Sequence, residues 1–207
     1  IDIGNSCTKV AISENRKIIE DFRFIELDND KILDIINEYK IQNSALSNVS
    51  TYNEKLKKIL TENTSFYSFT NEIRIPFNCS YKLTDVGDDR LALMAAAYYD
   101  YPKENVLVID MGTCITYDIK SSNNNYKAGG ISPGLRMRIK SISDGAFKLN
   151  EITPAYPESL IASNTKSSLD IGIVMGIKSE IEGFISHYNS QFSGLKVIIT
   201  GGGSKIL

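Results

Sequence analysis

Apolar and polar positions alternate over the first 26 residues in three short bursts, roughly Ile1 to Ile3, Thr8 to Ser13 and Lys17 to Glu26, with turns at Gly4-Asn5 and Glu14-Asn15. β-Branched residues edge each burst, which predicts an antiparallel meander of three strands. The period then lengthens. Ile32, Leu33, Ile35 and Ile36 make one apolar face of a helix from about Asn29 to Tyr39, and Leu56, Ile59 and Leu60 mark another from Asn53 to Asn63. The run IRIPFNCSYKL reads as extended. GDDRLALMAAAYYDY then opens a third helix on aspartates suited to a helix start.

The second half restarts the same order. Val106 to Asp110 is a strand, Cys114 to Ile119 a second, the Asn-rich SSNNNYK a turn, and Tyr126 to Ile131 a third strand. SPGLRMRIKSI begins a helix with Pro133 near its first turn. Leu169 to Tyr188 reads as a long helix, because Ile171, Val174, Ile177, Ile181 and Ile185 recur every three or four residues. Lys196 to Thr200 is a final strand running into Gly201-Gly202-Gly203. Strands and helices alternating twice in one order predict a duplicated α/β domain, with halves at 1–104 and 105–207 and a boundary near Pro102 to Glu104.

The restart repeats chemistry as well as periodicity. IDIGNSCTKVAI and VIDMGTCITYDI share Ile-Asp-x-Gly-x-x-x-Thr, so Asp2 corresponds to Asp110, Gly4 to Gly112 and Thr8 to Thr116. Glycine lets the backbone turn tightly beside a ligand, and the hydroxyls of Ser6, Thr8, Thr113 and Thr116, with neighbouring amides, suit phosphate oxygens. A carboxylate beside phosphate needs a cation between them, and Mg2+ prefers that mixture of oxygens. One such turn would be an ordinary hairpin with a solvated aspartate. Two at matching places predict a phosphate clamp between the two lobes.

Two more glycine segments fit the same theme. AGGISPG, Ala128 to Gly134, leads from a strand into a helix, where unpaired amides favour anions, although a strand-to-helix turn needs the same glycines. IITGGGSK would let a flat ligand such as adenine approach the backbone. The Walker pattern G-x-x-x-x-G-K-[ST] does not occur, so a P-loop kinase is not indicated. GDDR is the leading candidate for catalysis: Gly87 ends a loop, Asp88 and Asp89 stand at a helix N-terminus, and Arg90 brings a cationic fork suited to phosphate or carboxylate. The competing reading is a capped helix with a surface arginine.

Composition narrows the class. With 207 residues, 42% of them hydrophobic, and a formal charge of -2, the chain can bury a large core and has no bulk attraction for nucleic acid or an acidic membrane face. It contains no bilayer-length apolar run and no basic leader before an apolar core, so a soluble cytoplasmic protein is expected. Cys7, Cys79 and Cys114 lack C-x-x-C spacing, which points away from zinc and disulfides. Lone His187 reads as a surface residue.

The order DIGNSCTK, GDDR, DMGTCIT, GGISPGL and TGG resembles the type III pantothenate kinases, within the superfamily of acetate kinase, sugar kinases, Hsc70 and actin, over nearly the whole chain. The first and third motifs are shared across that superfamily; G-x-D-R and G-G-x-I-x-P-G-L point to this family. The resemblance implies an α/β fold of duplicated ribonuclease H-like (actin-like ATPase) domains, each a mixed five-stranded sheet flanked by helices. It implies ATP-dependent phosphorylation of pantothenate to 4′-phosphopantothenate, the first step of coenzyme A biosynthesis, with Mg2+ and a monovalent cation (K+ or NH4+), in a cytoplasmic homodimer without nucleic-acid or membrane partners. Asp2, Ile3, Gly4, Asn5, Ser6, Cys7, Thr8 and Lys9 match the family's first phosphate loop, Thr113 a second ATP contact, and Asp110 the monovalent cation ligand. Asp89 matches the proton acceptor, Gly87, Asp88, Asp89 and Arg90 the lining of the pantothenate site with Asp88 in the variable position, and Thr165 a second pantothenate contact at or near the partner subunit. The family's Tyr-x-x-Pro upstream of G-x-D-R is replaced by SYKLTDVG, with Leu83 in place of proline and Tyr81 one residue out of register. A phosphohydrolase, a kinase of another small hydroxyl or carboxylate, and a non-catalytic regulator on the same fold stay open as alternatives.

Overall fold

The computed structural model describes residues 1–4, 7–48, 53–68, 75–79, 82, 85–145 and 153–207. Alternation governs its first sheet. Strand β1 (Asp2–Ile3) pairs antiparallel with β2 (Thr8–Glu14), along which Thr8, Val10 and Ile12 are buried while Lys9, Ala11 and Ser13 face solvent. The β2–β3 turn puts Asn15 and Arg16 at φ of 50° and 65°, the left-handed pair whose twist suits a two-residue hairpin, and β3 (Lys17–Phe24) forms the edge. Asp28 caps helix α1 (Asn29–Glu38) by accepting from the Asp30 amide, and Ile32, Ile35 and Ile36 turn inward.

Two strands of this sheet carry little hydrophobic signal. β4 (Asn43–Asn48) is mostly polar and lies parallel to β1, and β5 (Ser65–Ser68) lies parallel to β4. Between them runs α2 (Glu54–Asn63), capped by Asn53 and buried through Leu56 and Leu60. Neighbouring backbone rather than propensity makes β4 a strand. The sheet order is β3-β2-β1-β4-β5.

The second sheet has the order β10-β7-β8-β9-β6. β6 (Asn78–Cys79) is its edge, parallel to β9. After α3 (Asp88–Asp100) comes β7 (Val106–Met111), buried at every residue except Asp110, as a strand covered on both faces requires. It pairs antiparallel with β8 (Cys114–Lys120), which pairs antiparallel with β9 (Asn125–Pro133). Pro133 thus closes a strand rather than opening a helix, and α4 (Leu135–Gly145) starts after Gly134. The long helix has three parts: α5 (Thr165–Asp170), a π turn at Ile171–Met175, and α6 (Gly176–Gln191). The wider turn shifts the inward face, so that Ile173 and Val174 are buried and Ile171 is not. β10 (Lys196–Thr200) returns parallel to β7.

Both sheets are therefore mixed, five-stranded and flanked by helices, as expected. They share the core order third, second, first, fourth strand, but the second sheet reaches five by adding β6 at the opposite edge. Two compact units result: Ile1–Ile75 with Lys82–Leu93, and Pro76–Tyr81 with Met94–Leu207. The division falls inside α3, whereas the periodicity puts it near Pro102 to Glu104. Each end of α3 is held by its own unit: Asp88 accepts from the Asn48 amide at 3.2 Å, and buried Lys120 donates to the carbonyls of Tyr101 and Glu104 at 2.6 and 3.0 Å.

Candidate active site

In the first unit the register of one hairpin decides which side chains meet. Asp2 lies opposite Lys9 and Ile3 opposite Thr8, so Asp2 and Lys9 share a face while Thr8 joins the core-facing row. Lys9 Nζ is 3.4 Å from Asp2 Oδ2, and Ser47 of β4 donates to Asp2 Oδ1 at 3.3 Å. Thr8 is 5% exposed, so its hydroxyl is part of the core rather than of an open phosphate turn. The Gly4 amide donates to the Cys7 carbonyl at 3.2 Å and closes the turn. Asn5 and Ser6 lie outside the described residues, as do Tyr81 and Leu83.

The GDDR segment stands at the same edge of the same sheet. Leu91 donates to the Gly87 carbonyl, starting α3, and the Asp88–Asn48 bond ties that start to β4 next to Ile3 of β1. The C-terminal ends of parallel strands are where open α/β sheets present their ligand crevices. Burial first, and the Asp89 charge second, push the Asp88 carboxyl above its ordinary value, opposed by the Asn48 amide. Asp89 accepts from the Arg90 amide at 2.8 Å. Arg90 is 6% exposed, so it is not the surface partner that a capped helix alone would suggest.

In the second unit three glycine segments that lie far apart in sequence converge on the end of β7. Asp110 is opposite Thr116 across the β7–β8 hairpin and opposite Thr200 of β10. Gly201 has φ of +88°, and a Cβ there would press on Asp110 Oδ1 and stand 2.6 Å from the Met111 carbonyl oxygen. Gly134 donates to the Thr113 carbonyl at 3.0 Å, and a Cβ on it would stand 2.6 Å from the Gly112 oxygen. The turn after Asp110 is thus packed closely against glycine backbone, where no side chain would fit. Thr165 is exposed at the first position of α5, behind an Asn164–Ser167 capping box.

A cluster that the sequence did not reveal lies on α6. Glu180 Oε1 accepts from Tyr117 Oη at 2.7 Å and Ser132 Oγ at 2.5 Å, and Oε2 pairs with Arg138 Nη2 at 2.5 Å. Its only signal in sequence is an acid on the apolar face next to Ile177 and Ile181. Burial acts to raise the Glu180 carboxyl, but the bonds from Ser132, Tyr117 and Arg138 outweigh it and hold the group below its ordinary 4.5. Burial and that carboxylate push the Tyr117 phenol far above its ordinary 10.0. Unfolding releases Glu180 to 4.5, so below that pH the unfolded chain binds the extra proton and stability falls with acid. The melting temperature is expected to drop more steeply below about pH 5 in the wild type than in Glu180→Gln. Parallel slopes in a pH series of thermal scans would remove this coupling.

Two sheets of one core order, each with an aspartate-glycine hairpin leaving its first strand, define a duplicated actin-like fold. A family model of type III pantothenate kinase matches residues 1–187, and the chain belongs to that family. A type III pantothenate kinase from Christiangramia forsetii is 39% identical over 210 residues, covering 100% of this chain and 86% of the relative. One from Flavobacterium johnsoniae is 36% identical with the same coverage. Among solved structures, a protein from Campylobacter jejuni described as a Baf family transcriptional activator matches with a TM-score of 0.60 and 28% identity, covering 99% of this chain and 84% of that one.

Proposed function

We propose that this chain transfers the γ-phosphoryl group of ATP to the primary hydroxyl of pantothenate, giving 4′-phosphopantothenate and ADP. The observation that carries the reading is the Asp88–Asn48 bond, which keeps the Gly87 to Arg90 turn at the sheet edge that also holds Asp2 and Gly4. The relatives named type III pantothenate kinase supply the acceptor.

Phosphoryl transfer has a loose transition state, so the protein mainly positions the reactants and offsets charge. The pantothenate oxygen bonds to the γ-phosphorus as the bond from that phosphorus to the departing ADP oxygen breaks. The hydroxyl proton passes late to the Asp89 carboxylate. Arg90 orients the acceptor through its planar fork, with Gly87 and Asp88 completing that wall and Thr165 adding a second pantothenate contact. The turn from Asp2 to Lys9 and Thr113 hold the ATP phosphates, and Asp110 takes the monovalent cation. The part-exposed Asp2 carboxylate is the kind of ligand that Mg2+ takes along with waters and phosphate oxygens, and the bound ion would neutralise phosphate charge. A cytoplasmic homodimer belongs to the same reading.

ADP release from ATP and Mg2+, with and without pantothenate and in potassium then sodium buffer, tests it. Turnover that requires both pantothenate and potassium is expected. Release without pantothenate would make the chain a phosphohydrolase, and no turnover in any buffer would make it a regulator.

A further inference from the structure

Glu180 gathers donors from three other elements of the second unit, and proton transfer to Asp89 accounts for none of them. Tyr117 of β8 and Ser132 of β9 share its Oε1, and Arg138 of α4 takes Oε2. Arg138 has a second attachment: its Nε donates to the Pro133 carbonyl at 2.9 Å. Pro133 precedes Gly134, whose amide donates to the Thr113 carbonyl at 3.0 Å. An unbroken run of bonds therefore leads from α6 to the turn after Asp110. A part-buried ion pair adds little net stability over apolar side chains of equal volume, and this one also holds Arg138 at two points.

We propose that Glu180, acting through Arg138, is a positioning residue for nucleotide binding, fixing the Pro133–Gly134 corner against which the Gly112–Thr113 turn rests. The inference builds on the reading of Thr113 as an ATP contact. Its chemistry is one of matching: a carboxylate offers acceptors on both sides, whereas glutamine must turn an amide N–H2 either toward Arg138 or toward the two hydroxyls. Turned toward Arg138 the amide meets only donors; turned toward the hydroxyls it can donate to their oxygens, but Arg138 is left with a neutral acceptor in place of the charge that holds it. A misplaced phosphate turn weakens ATP binding while leaving the pantothenate wall in the other unit untouched.

The test compares the wild type with Glu180→Gln, Arg138→Lys and Ile177→Val, measuring KM for both substrates, kcat, melting temperature and the ATP dissociation constant by calorimetry. Arg138→Lys keeps a cation for Glu180 but cannot also bond Pro133, so it probes the corner with a folded chain. Ile177→Val loosens the core on the same helix and serves as the structural control. Glu180→Gln and Arg138→Lys are expected to raise the ATP KM and dissociation constant about tenfold, with pantothenate KM changed less than about twofold and ATP binding of Ile177→Val unchanged. ATP constants unaltered in both variants, or altered equally in Ile177→Val, would overturn the positioning role. A wild type that fails to bind ATP would overturn the kinase reading and this inference with it, which sets that failure apart from unaltered variants of an active enzyme.

Discussion

Asp89→Asn is expected to lower kcat by a factor on the order of 10² to 10⁴, with the ATP KM within about threefold of wild type. Asparagine is nearly the same size and its side-chain oxygen can still accept from the Arg90 amide, so the start of α3 is retained. It cannot take the proton that leaves the pantothenate hydroxyl. Neighbouring Asp88 is the internal comparison, because its carboxylate already accepts from Asn48 and burial disfavours its charge. Asp88→Asn keeps an acceptor for that amide and should cost far less than its neighbour. Steady-state kinetics of the two variants decide the matter: near-normal turnover of Asp89→Asn, or an equal loss in Asp88→Asn, would move the proton acceptor away from Asp89.

Gly201→Ala should be strongly damaging, because conformation and packing both oppose the added methyl group. At φ of +88° a side chain is strained, and here the methyl also meets the Met111 carbonyl at 2.6 Å and the Asp110 carboxylate. These are backbone and a short side chain, so relief requires moving the end of β7 itself. Destabilisation of roughly 2–4 kcal/mol is expected, accompanied by loss of turnover as Asp110 shifts. The adjacent Gly202 has open space where its Cβ would lie, and Gly202→Ala should stay within about 0.5 kcal/mol of wild type. Urea unfolding of both proteins checks the contrast; equal midpoints would show that β7 yields at no cost.

The strands that the sequence announces are those whose side chains alternate or run apolar. β2 and β7 fall where the pattern puts them, because a buried face or two buried faces select their residues, and β10 does so through its apolar, partly buried run. β4 and β5 were illegible, since Asn43, Ser44 and Asn48 become strand only through pairing with β1 and β5. The π turn was hidden for a related reason: the spacing of Ile171, Val174 and Ile177 suits an unbroken α-helix, and the shift is visible only where Ile173 packs inward. Asp2, Asp89, Asp110 and the glycines were legible as motifs, but the convergence of Gly134 and Gly201 on the end of β7 is tertiary. Glu180 was not legible, because its partners come from Tyr117, Ser132 and Arg138, each of which reads alone as an ordinary strand or helix residue.

Equal spacing from aspartate to threonine in the two halves conceals unequal turns. Gly4 to Cys7 separate the paired residues Ile3 and Thr8, whereas Gly112 to Cys114 separate Met111 and Ile115, so the first turn is one residue longer. In a strand that single residue reverses every side chain that follows. An ammonium therefore faces the aspartate in one half and a hydroxyl faces it in the other, so two hairpins of equal motif spacing present different chemistry beside their acids.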